Sequence, residues 1–380
     1  MSAKQRVLVA MSGGVDSSVT AFLLKSQGYD CLGATMRLTC SRSFDDMGER
    51  SCCSLRDLED AEAVCARLNI PWQAVDFRET FSRKVIDKFV RTYEDGRTPN
   101  PCIDCNRYLK FGALLDYARE QGCDYVATGH YARTGRAADG TWTLSKGIDP
   151  AKDQSYVLYS LTQERLAHTL LPLGELVKSR DVRRIAAEQG FGNAEKPDSQ
   201  GICFCPNNDF ARYIEEREGR TLPEGNILDT DGAVIGRHHG ALRYTIGQRK
   251  GLGVAMLHPV YVTHVDAAAN TVTLGEETDL MANALVADDW IWSAPKNRMR
   301  GQLDAAGDAG IPVSAKIRYH QPDQAAHISW GDEPGTIRVT FEHPQRAIAP
   351  GQAVVVYDGD TVLGGGTVRR ALKTGAGDPD

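Results

Sequence analysis

The stretch Ser12-Gly13-Gly14-Val15-Asp16-Ser17-Ser18 has the composition of an anion cradle. A glycine pair lets the backbone pass close to a ligand. The N–H groups of a following helix start would then point at a phosphate, which the helix dipole favours. Ser12, Ser17 and Ser18 add hydroxyl donors. The string lacks the lysine of a G-x-x-x-x-G-K-[ST] loop and the spacing of a G-x-G-x-x-G turn, so it is a phosphate site of another kind.

Two cysteine-bearing segments are the next candidates. Gly96 to Asn106 carries Cys102 and Cys105, and Lys196 to Cys205 carries Cys203 and Cys205. Pro99 and Pro101 predict an extended loop ahead of a helix that begins near Tyr108. Cys105 then lies a few residues before a helix N-terminus, where the dipole favours a thiolate. Asp198, Ser199 and Gly201 mark a compliant turn before Cys203. Cys40, Cys52 and Cys53 lack a paired C-x-x-C or a neighbouring histidine and read as plain thiols. Basic residues gather between 78 and 110 (Arg78, Arg83, Lys84, Lys88, Arg91, Arg97, Arg107, Lys110) and again at Lys178, Arg180, Arg183 and Arg184. A solvated helix face and phosphate contact are the two readings of such runs.

These groups must be held by alternating strands and helices. Val7-Leu8-Val9 reads as a buried strand ahead of the cradle, and Val19 to Leu24 as the helix start after it. Cys31 to Arg37 reads as a second strand with Met36 at its C-terminal end, where open α/β sheets place ligands. Residues 38–54 form a long polar connection over the site. Helices are predicted over 55–68, 80–93 and 108–121, and strands over 70–77 and 124–128. The last strand delivers Gly129 and His130 to the sheet edge. This alternation predicts a doubly wound parallel sheet. Beyond about Ile202 the texture changes to partial helix and short glycine-rich strands, and after Ala284 to an all-β pattern. Ile337, Val339 and Phe341 alternate there with Arg338, Thr340 and Glu342, as in a small barrel. The tail from Thr374 is expected to fray.

A chain of 380 residues suggests two or three domains. Its 42% hydrophobic and 25% charged content is that of a globular protein. No window is long and apolar enough for a membrane span, and the N-terminus runs straight into the first strand, leaving no room for a signal peptide. A cytoplasmic, reducing setting is therefore expected, in which ten cysteines read as catalysts or ligands rather than disulfides. A net charge of -6 weighs against a uniformly basic nucleic-acid surface and leaves local patches open.

Ser-Gly-Gly-Val-Asp-Ser resembles the PP-loop of the ATP pyrophosphatase superfamily. Asn-Pro-x-x-x-Cys-Asn, Ala127 to Tyr131, Lys152 to Tyr156, Asp198 to Phe204 and Tyr244 to Gly253 follow it in order. Together they resemble the tRNA-specific 2-thiouridylases (MnmA/TrmU type) over nearly the whole chain. The resemblance implies an α/β PP-loop domain over 1–205, a small central tRNA-binding domain over 206–284 and a C-terminal β-barrel over 285–380. It implies a sulfurtransferase that replaces oxygen by sulfur at C2 of the wobble uridine. ATP would be held by Ala10, Met11, Ser12, Gly13, Gly14, Val15, Asp16 and Ser17, with Met36 and Gly129 beside it and Mg²⁺ near Asp16. Cys203 matches the persulfide-bearing cysteine and Cys105 its partner, and a disulfide between them would follow each turnover. Asn100, Pro101 and Cys102 match the loop at the target base. His130, Lys152, Asp153, Gln154, Arg318, Tyr319 and Gln352 match tRNA contacts. The implied partners are the tRNA anticodon stem-loop, a persulfide relay protein and a thiol reductant, with no membrane.

Cys102 departs from the family, much of which has aspartate there. Cys102, Cys105 and Cys203 would suit a [4Fe–4S] cluster with one open iron, and Cys205 could complete a zinc site. Rival functions are another PP-loop ligase or tRNA thiolase, and a non-catalytic tRNA-binding protein.

Overall fold

The structure is a computed structural model that describes residues 4–38, 55–198 and 201–373. Cys40, Cys52, Cys53, Ser199, Gln200 and the tail lie outside the described residues, as does most of the predicted 38–54 connection.

The first domain is built on strands β1 (Arg6–Ala10), β2 (Asp30–Arg37), β3 (Trp72–Asp76) and β4 (Tyr125–Ala127), a hairpin of β5 (Ala132–Arg136) and β6 (Trp142–Lys146), and β7 (Thr169–Leu170). Its sheet is parallel in the order β3-β2-β1-β4-β7. Period-two alternation in β1 decides both faces. Val7 and Val9 pack with Val19 and Leu24 of helix α1 (Val15–Ser26) and with Val64 and Cys65 of helix α2 (Leu55–Arg67). Leu8 points the other way, onto Leu114, Leu115 and Ala118. That burial on both faces is the doubly wound arrangement read from the sequence.

The cysteine segment Gly96–Asn106 corrects one expectation. Helix does not begin near Tyr108. It starts at Pro101 and runs on to Glu120, widening to π geometry over Cys105–Ala113. Asn100 is its N-cap residue and Pro101 its first helical residue. Proline suits that position because its fixed φ is already helical and its missing N–H would have no partner there. Cys105 therefore sits beyond the first turn, and Cys102 within it.

The central domain is a four-stranded sheet of β8 (Gly225–Leu228), β9 (Val234–His238), β10 (Tyr261–Asp266) and β11 (Thr271–Gly275), in the order β10-β11-β8-β9. Its core is formed by Ile227, Val262, Val272 and Leu274. The barrel follows, from β12 (Met281–Trp292), β13 (Ile311–Lys316), β14 (Gln324–Trp330), β15 (Ile337–Arg346), β16 (Ala353–Asp358) and β17 (Thr361–Leu372). The order β12-β15-β14-β13-β16-β17 closes through the β12–β17 pairing. Ile337, Val339 and Phe341 face its core as the alternation predicts. This region is not purely β: a helix at Lys296–Ala306 turns Met299 and Leu303 into the same core. Two apolar residues one turn apart were too weak a periodic signal to announce it.

Two packed seams join the domains. β17 continues the β5–β6 hairpin through Thr361 and Ser145, and Tyr156, Leu158 and Ala132 share a core with Val355, Tyr357 and Val362. A second cluster joins Phe81, Phe89 and Leu109 of the first domain to Phe204, Ile214, Leu222 and Leu242. The 101–120 helix touches both seams, through Ile103 and Phe111 on one side and Leu109 on the other.

Candidate active site

The cradle forms between β1 and α1. Gly14 is the extended N-cap of α1 (φ -92°, ψ 162°) and has no side-chain cap, so the first N–H groups of the helix stay available to an anion. Ser17 and Ser18 donate their hydroxyls to the Gly14 carbonyl at 2.9 and 3.1 Å, and Ser12 N–H donates to Ser17 Oγ at 3.2 Å. Gly13 has φ +74°, and a Cβ there would lie 2.3 Å from the carbonyl oxygen of Asp57. Gly13→Ala is therefore expected to destabilise the chain by about 1–3 kcal/mol and to weaken ATP binding. A melting curve with an ATP titration checks this, and unchanged values in both would exclude the role of the close approach.

Asp16 lies in the first turn of α1, and both its oxygens are engaged. Tyr131 donates its hydroxyl to Oδ1 at 2.6 Å, and Lys178 donates to Oδ2 at 2.6 Å. Burial and the Asp16 carboxylate push the Tyr131 hydroxyl upward, so it stays a donor. Gly129 presses against this turn, where a Cβ would come within 2.9 Å of Asp16. Lys178 also reaches Asp198 Oδ1 at 2.7 Å, and Lys152 holds Asp198 Oδ2 at 2.9 Å. Burial works against the Asp198 charge, but Lys178 and Lys152 hold the carboxyl below its usual range. Lys178 is thus no part of a solvated helix face; it is 7% exposed. Lys196 supports the cradle from outside, donating to Asp57 at 2.7 Å, Asp60 at 2.6 Å and the Gly13 carbonyl at 3.3 Å. The roles of Lys178 and Lys196 were not legible in the sequence. Their partners lie far away in the chain, and a charge run alone does not mark burial.

Cys105 and Cys203 pack against the same apolar cluster, at the seam of the first and central domains. Phe204 anchors the chain beside Cys203. Its ring lies 5.6 Å from Phe81, 5.1 Å from Phe89 and 5.3 Å from Tyr213. Cys205 is buried in that cluster, and desolvation pushes its thiol up to about 11. It packs here as a small apolar residue, which gives the zinc option no support. Cys102 is exposed. Burial, then Asp153 and Cys102, push the Tyr319 hydroxyl up to about 12. Among the described residues, no three His, Cys, Asp or Glu side chains are arranged to hold a metal ion. A cluster on Cys102, Cys105 and Cys203 thus has no support in this geometry.

His130 is buried. Thr128 Oγ1 lies 2.7 Å from its Nδ1 and Lys110 Nζ 3.4 Å from its Nε2. Burial, then Lys110, hold its pKa well below the usual 6.5, so the ring is neutral. Lysine can only donate, so Nε2 accepts and Nδ1–H donates to Thr128. An unfolded His130 takes up a proton below pH 6.5 and the buried one does not, so this stability is present above 6.5 and lost as pH falls. Between pH 7.5 and 5.5 the wild type should lose about 1.4 kcal/mol more unfolding free energy than His130→Asn. Equal losses in denaturant titrations at both pH values would show that the ring is not held neutral.

The other expected tRNA contacts are largely structural in their hydrogen bonds. Asp153 accepts from the N–H groups of Gly147 and Ser155 at 3.1 Å each, and Gln154 accepts from Tyr131 N–H at 2.9 Å. Arg318 donates to the carbonyls of Arg346 and Ala347 at 2.7 and 2.5 Å. Gln352 donates to the carbonyls of Thr98 and Pro99 at 3.2 and 3.4 Å, so the barrel holds the chain just before Asn100. Of the 78–110 cations, Arg78, Lys88, Arg97 and Arg107 pair with Asp76, Asp104, Asp95 and Asp289. The last three pairs line a cavity of about 310 Å³ behind Asn100.

Comparison with known proteins accounts for all three domains. Residues 5–207 match the family described as tRNA methyl transferase HUP domain, 211–276 its PRC-barrel domain, and 282–368 the aminomethyltransferase beta-barrel domain. The tRNA-specific 2-thiouridylase MnmA of Geotalea uraniireducens is 48% identical over 98% of this chain and 96% of its own. That of Symbiobacterium thermophilum is 49% identical over 97% and 93%, and that of Clostridioides difficile 45% over 98% and 100%. With identity at this level over the whole length, the chain belongs to the tRNA-specific 2-thiouridylase family.

Proposed function

We propose that this chain is a tRNA sulfurtransferase that thiolates C2 of the wobble uridine (U34) at the expense of ATP. Supporting this are the relatives and two observations: a helix N-terminus with no side-chain cap at the Ser12–Ser17 cradle, with Asp16 in its first turn, and the pair Cys105 and Cys203 packed against one apolar cluster. A pyrimidine carbonyl is a poor electrophile and its oxygen a poor leaving group. Attack of O2 on the α-phosphorus of ATP expels pyrophosphate and leaves an adenylated base. Sulfur then adds to C2, and AMP departs with the former O2. Mg²⁺ would enter with the nucleotide as Mg-ATP, and Asp16 would offer it a hard oxygen ligand beside the cradle.

In this reading a relay protein loads Cys203 with a persulfide. Cys105 attacks the Cys203 sulfur, the terminal sulfur leaves as sulfide, and the two cysteines end as a disulfide. The two thiols thereby supply the electrons that reduce the transferred sulfur, and an external thiol restores them. Asn100, Pro101, Cys102, His130, Lys152, Asp153, Gln154, Arg318, Tyr319 and Gln352 frame the tRNA site, some by contact and some by holding the framework. The base leaves the anticodon stack to reach it. The domain limits at 205 and 284 belong to the same reading, the second of them falling inside β12 (Met281–Trp292). Among the described residues no helix is long and apolar enough to cross a membrane. The test uses enzyme purified without oxygen, either stripped of metals and given Mg²⁺ or reconstituted with iron and sulfide. Each receives unmodified tRNA, ATP and a sulfur donor. Equal 2-thiouridine from both is expected; product only from the iron-loaded enzyme overturns the disulfide cycle.

A further inference from the structure

The cradle carries no lysine of its own, yet a triphosphate needs positive charge. The fold brings one from 162 residues away: Lys178 Nζ lies 2.6 Å from Asp16 Oδ2 and 2.7 Å from Asp198 Oδ1. We propose that Lys178 is the residue that binds the ATP polyphosphate at this loop, and that Asp198 is the counter-ion which ATP displaces from it. The proposal rests on the reading that the Ser12–Ser17 cradle holds ATP.

Three observations carry it. First, a buried ammonium is costly unless its hydrogens are taken by charged acceptors. Among the described residues, two carboxylates take two of the three, which leaves one hydrogen for a phosphate oxygen. Second, three cationic side chains converge here: Lys152, Lys178 and Arg183 each pair with Asp16 or Asp198, while Asp149 accepts from the Lys178 backbone N–H, so a phosphate entering beside Lys178 meets concentrated positive charge. Third, Asp198 keeps Lys152 at 2.9 Å and Arg183 at 3.5 Å when it yields Lys178, so the exchange leaves no carboxylate unpaired. Lys196 cannot take this role, since Asp57, Asp60 and the Gly13 carbonyl already occupy it. During adenylation the bond from the α-phosphorus to the bridging oxygen breaks and its electron pair leaves on pyrophosphate. Lys178 neutralises part of that charge without giving up a proton.

The test measures equilibrium binding of Mg-ATP and of AMP, which lacks the pyrophosphate, to the full chain and to Lys178→Met, Lys178→Arg and Asp198→Asn. Lys178→Met should weaken Mg-ATP roughly 10- to 100-fold and AMP by no more than about 3-fold, with partial recovery in Lys178→Arg. Asp198→Asn, relieved of the competing carboxylate, should bind Mg-ATP more tightly than wild type. A purely structural lysine would weaken both nucleotides alike or neither, and either result overturns the proposal. So does weaker Mg-ATP binding by Asp198→Asn, the variant that decides the matter if Lys178→Met does not fold. A wild-type chain whose variants behave as expected but which transfers no sulfur to tRNA would sink the thiolation reading while supporting Lys178.

Discussion

Cys203→Ser should lose 2-thiouridine formation by at least about 10³-fold while still releasing pyrophosphate when given ATP and tRNA. Serine replaces the thiol with a hydroxyl of similar shape, which cannot carry a sulfane sulfur. The neighbouring Phe204 stays clamped by Phe81, Phe89 and Tyr213, so the segment keeps its place on the apolar wall. In the proposed reading adenylation draws on the cradle and Asp16, which the substitution does not touch. The product ledger is therefore diagnostic: adenylated tRNA accumulates and thiolated tRNA does not. Cys105→Ser should block thiolation as severely but let persulfide build up on Cys203, seen as a sulfur mass increment on its peptide. Undiminished thiolation by either variant would remove that cysteine from the mechanism. Thiolation lost together with pyrophosphate release would point to a misplaced seam instead of missing sulfur chemistry.

The second large effect belongs to Asp16. Asp16→Asn should lower tRNA-dependent pyrophosphate release by roughly 10²- to 10³-fold and leave persulfide loading of Cys203 intact. Asparagine keeps an oxygen for the Tyr131 hydroxyl, and Lys178 keeps Asp198, so no buried ammonium is stranded. What disappears is the negative charge at the first turn of α1, where a cation accompanying the phosphates would be held. Removing one partner of a buried ion pair can itself cost about 3–5 kcal/mol, so a melting curve accompanies the assay. Normal adenylation by the folded variant would end the role given to this carboxylate. The two experiments separate the halves of the reaction, because each variant blocks one chemical step and spares the other.

Much of this was legible because it is local. The β1 strand, the glycine pair and the start of α1 follow from alternation and from the φ that only glycine adopts freely at Gly13. The closed barrel follows from period-two strands such as Ile337, Val339 and Phe341. The start of the 101–120 helix was misread although the signal was present. Asn-Pro is both an extended dipeptide and a helix cap with proline at the first position, and sequence alone does not choose between them. Packing chose: Ile103 fills the seam with the barrel and Leu109 the seam with the central domain, and both burials require helix from Pro101 onward.

By itself, then, the sequence determined the order of elements, the strand–glycine–helix cradle and which cysteines were candidates for chemistry, since strand period, glycine freedom and cap chemistry act over a few residues. The tertiary structure alone decided which charges are buried and what they face. Lys178 reads as one cation in a run, and only the packed chain sets it between Asp16 and Asp198. Likewise Cys105 and Cys203 meet one wall while Cys205 sinks into the core and Cys102 stays outside. Desolvation and partner choice are set by groups far apart in the chain, and a linear pattern does not carry those distances.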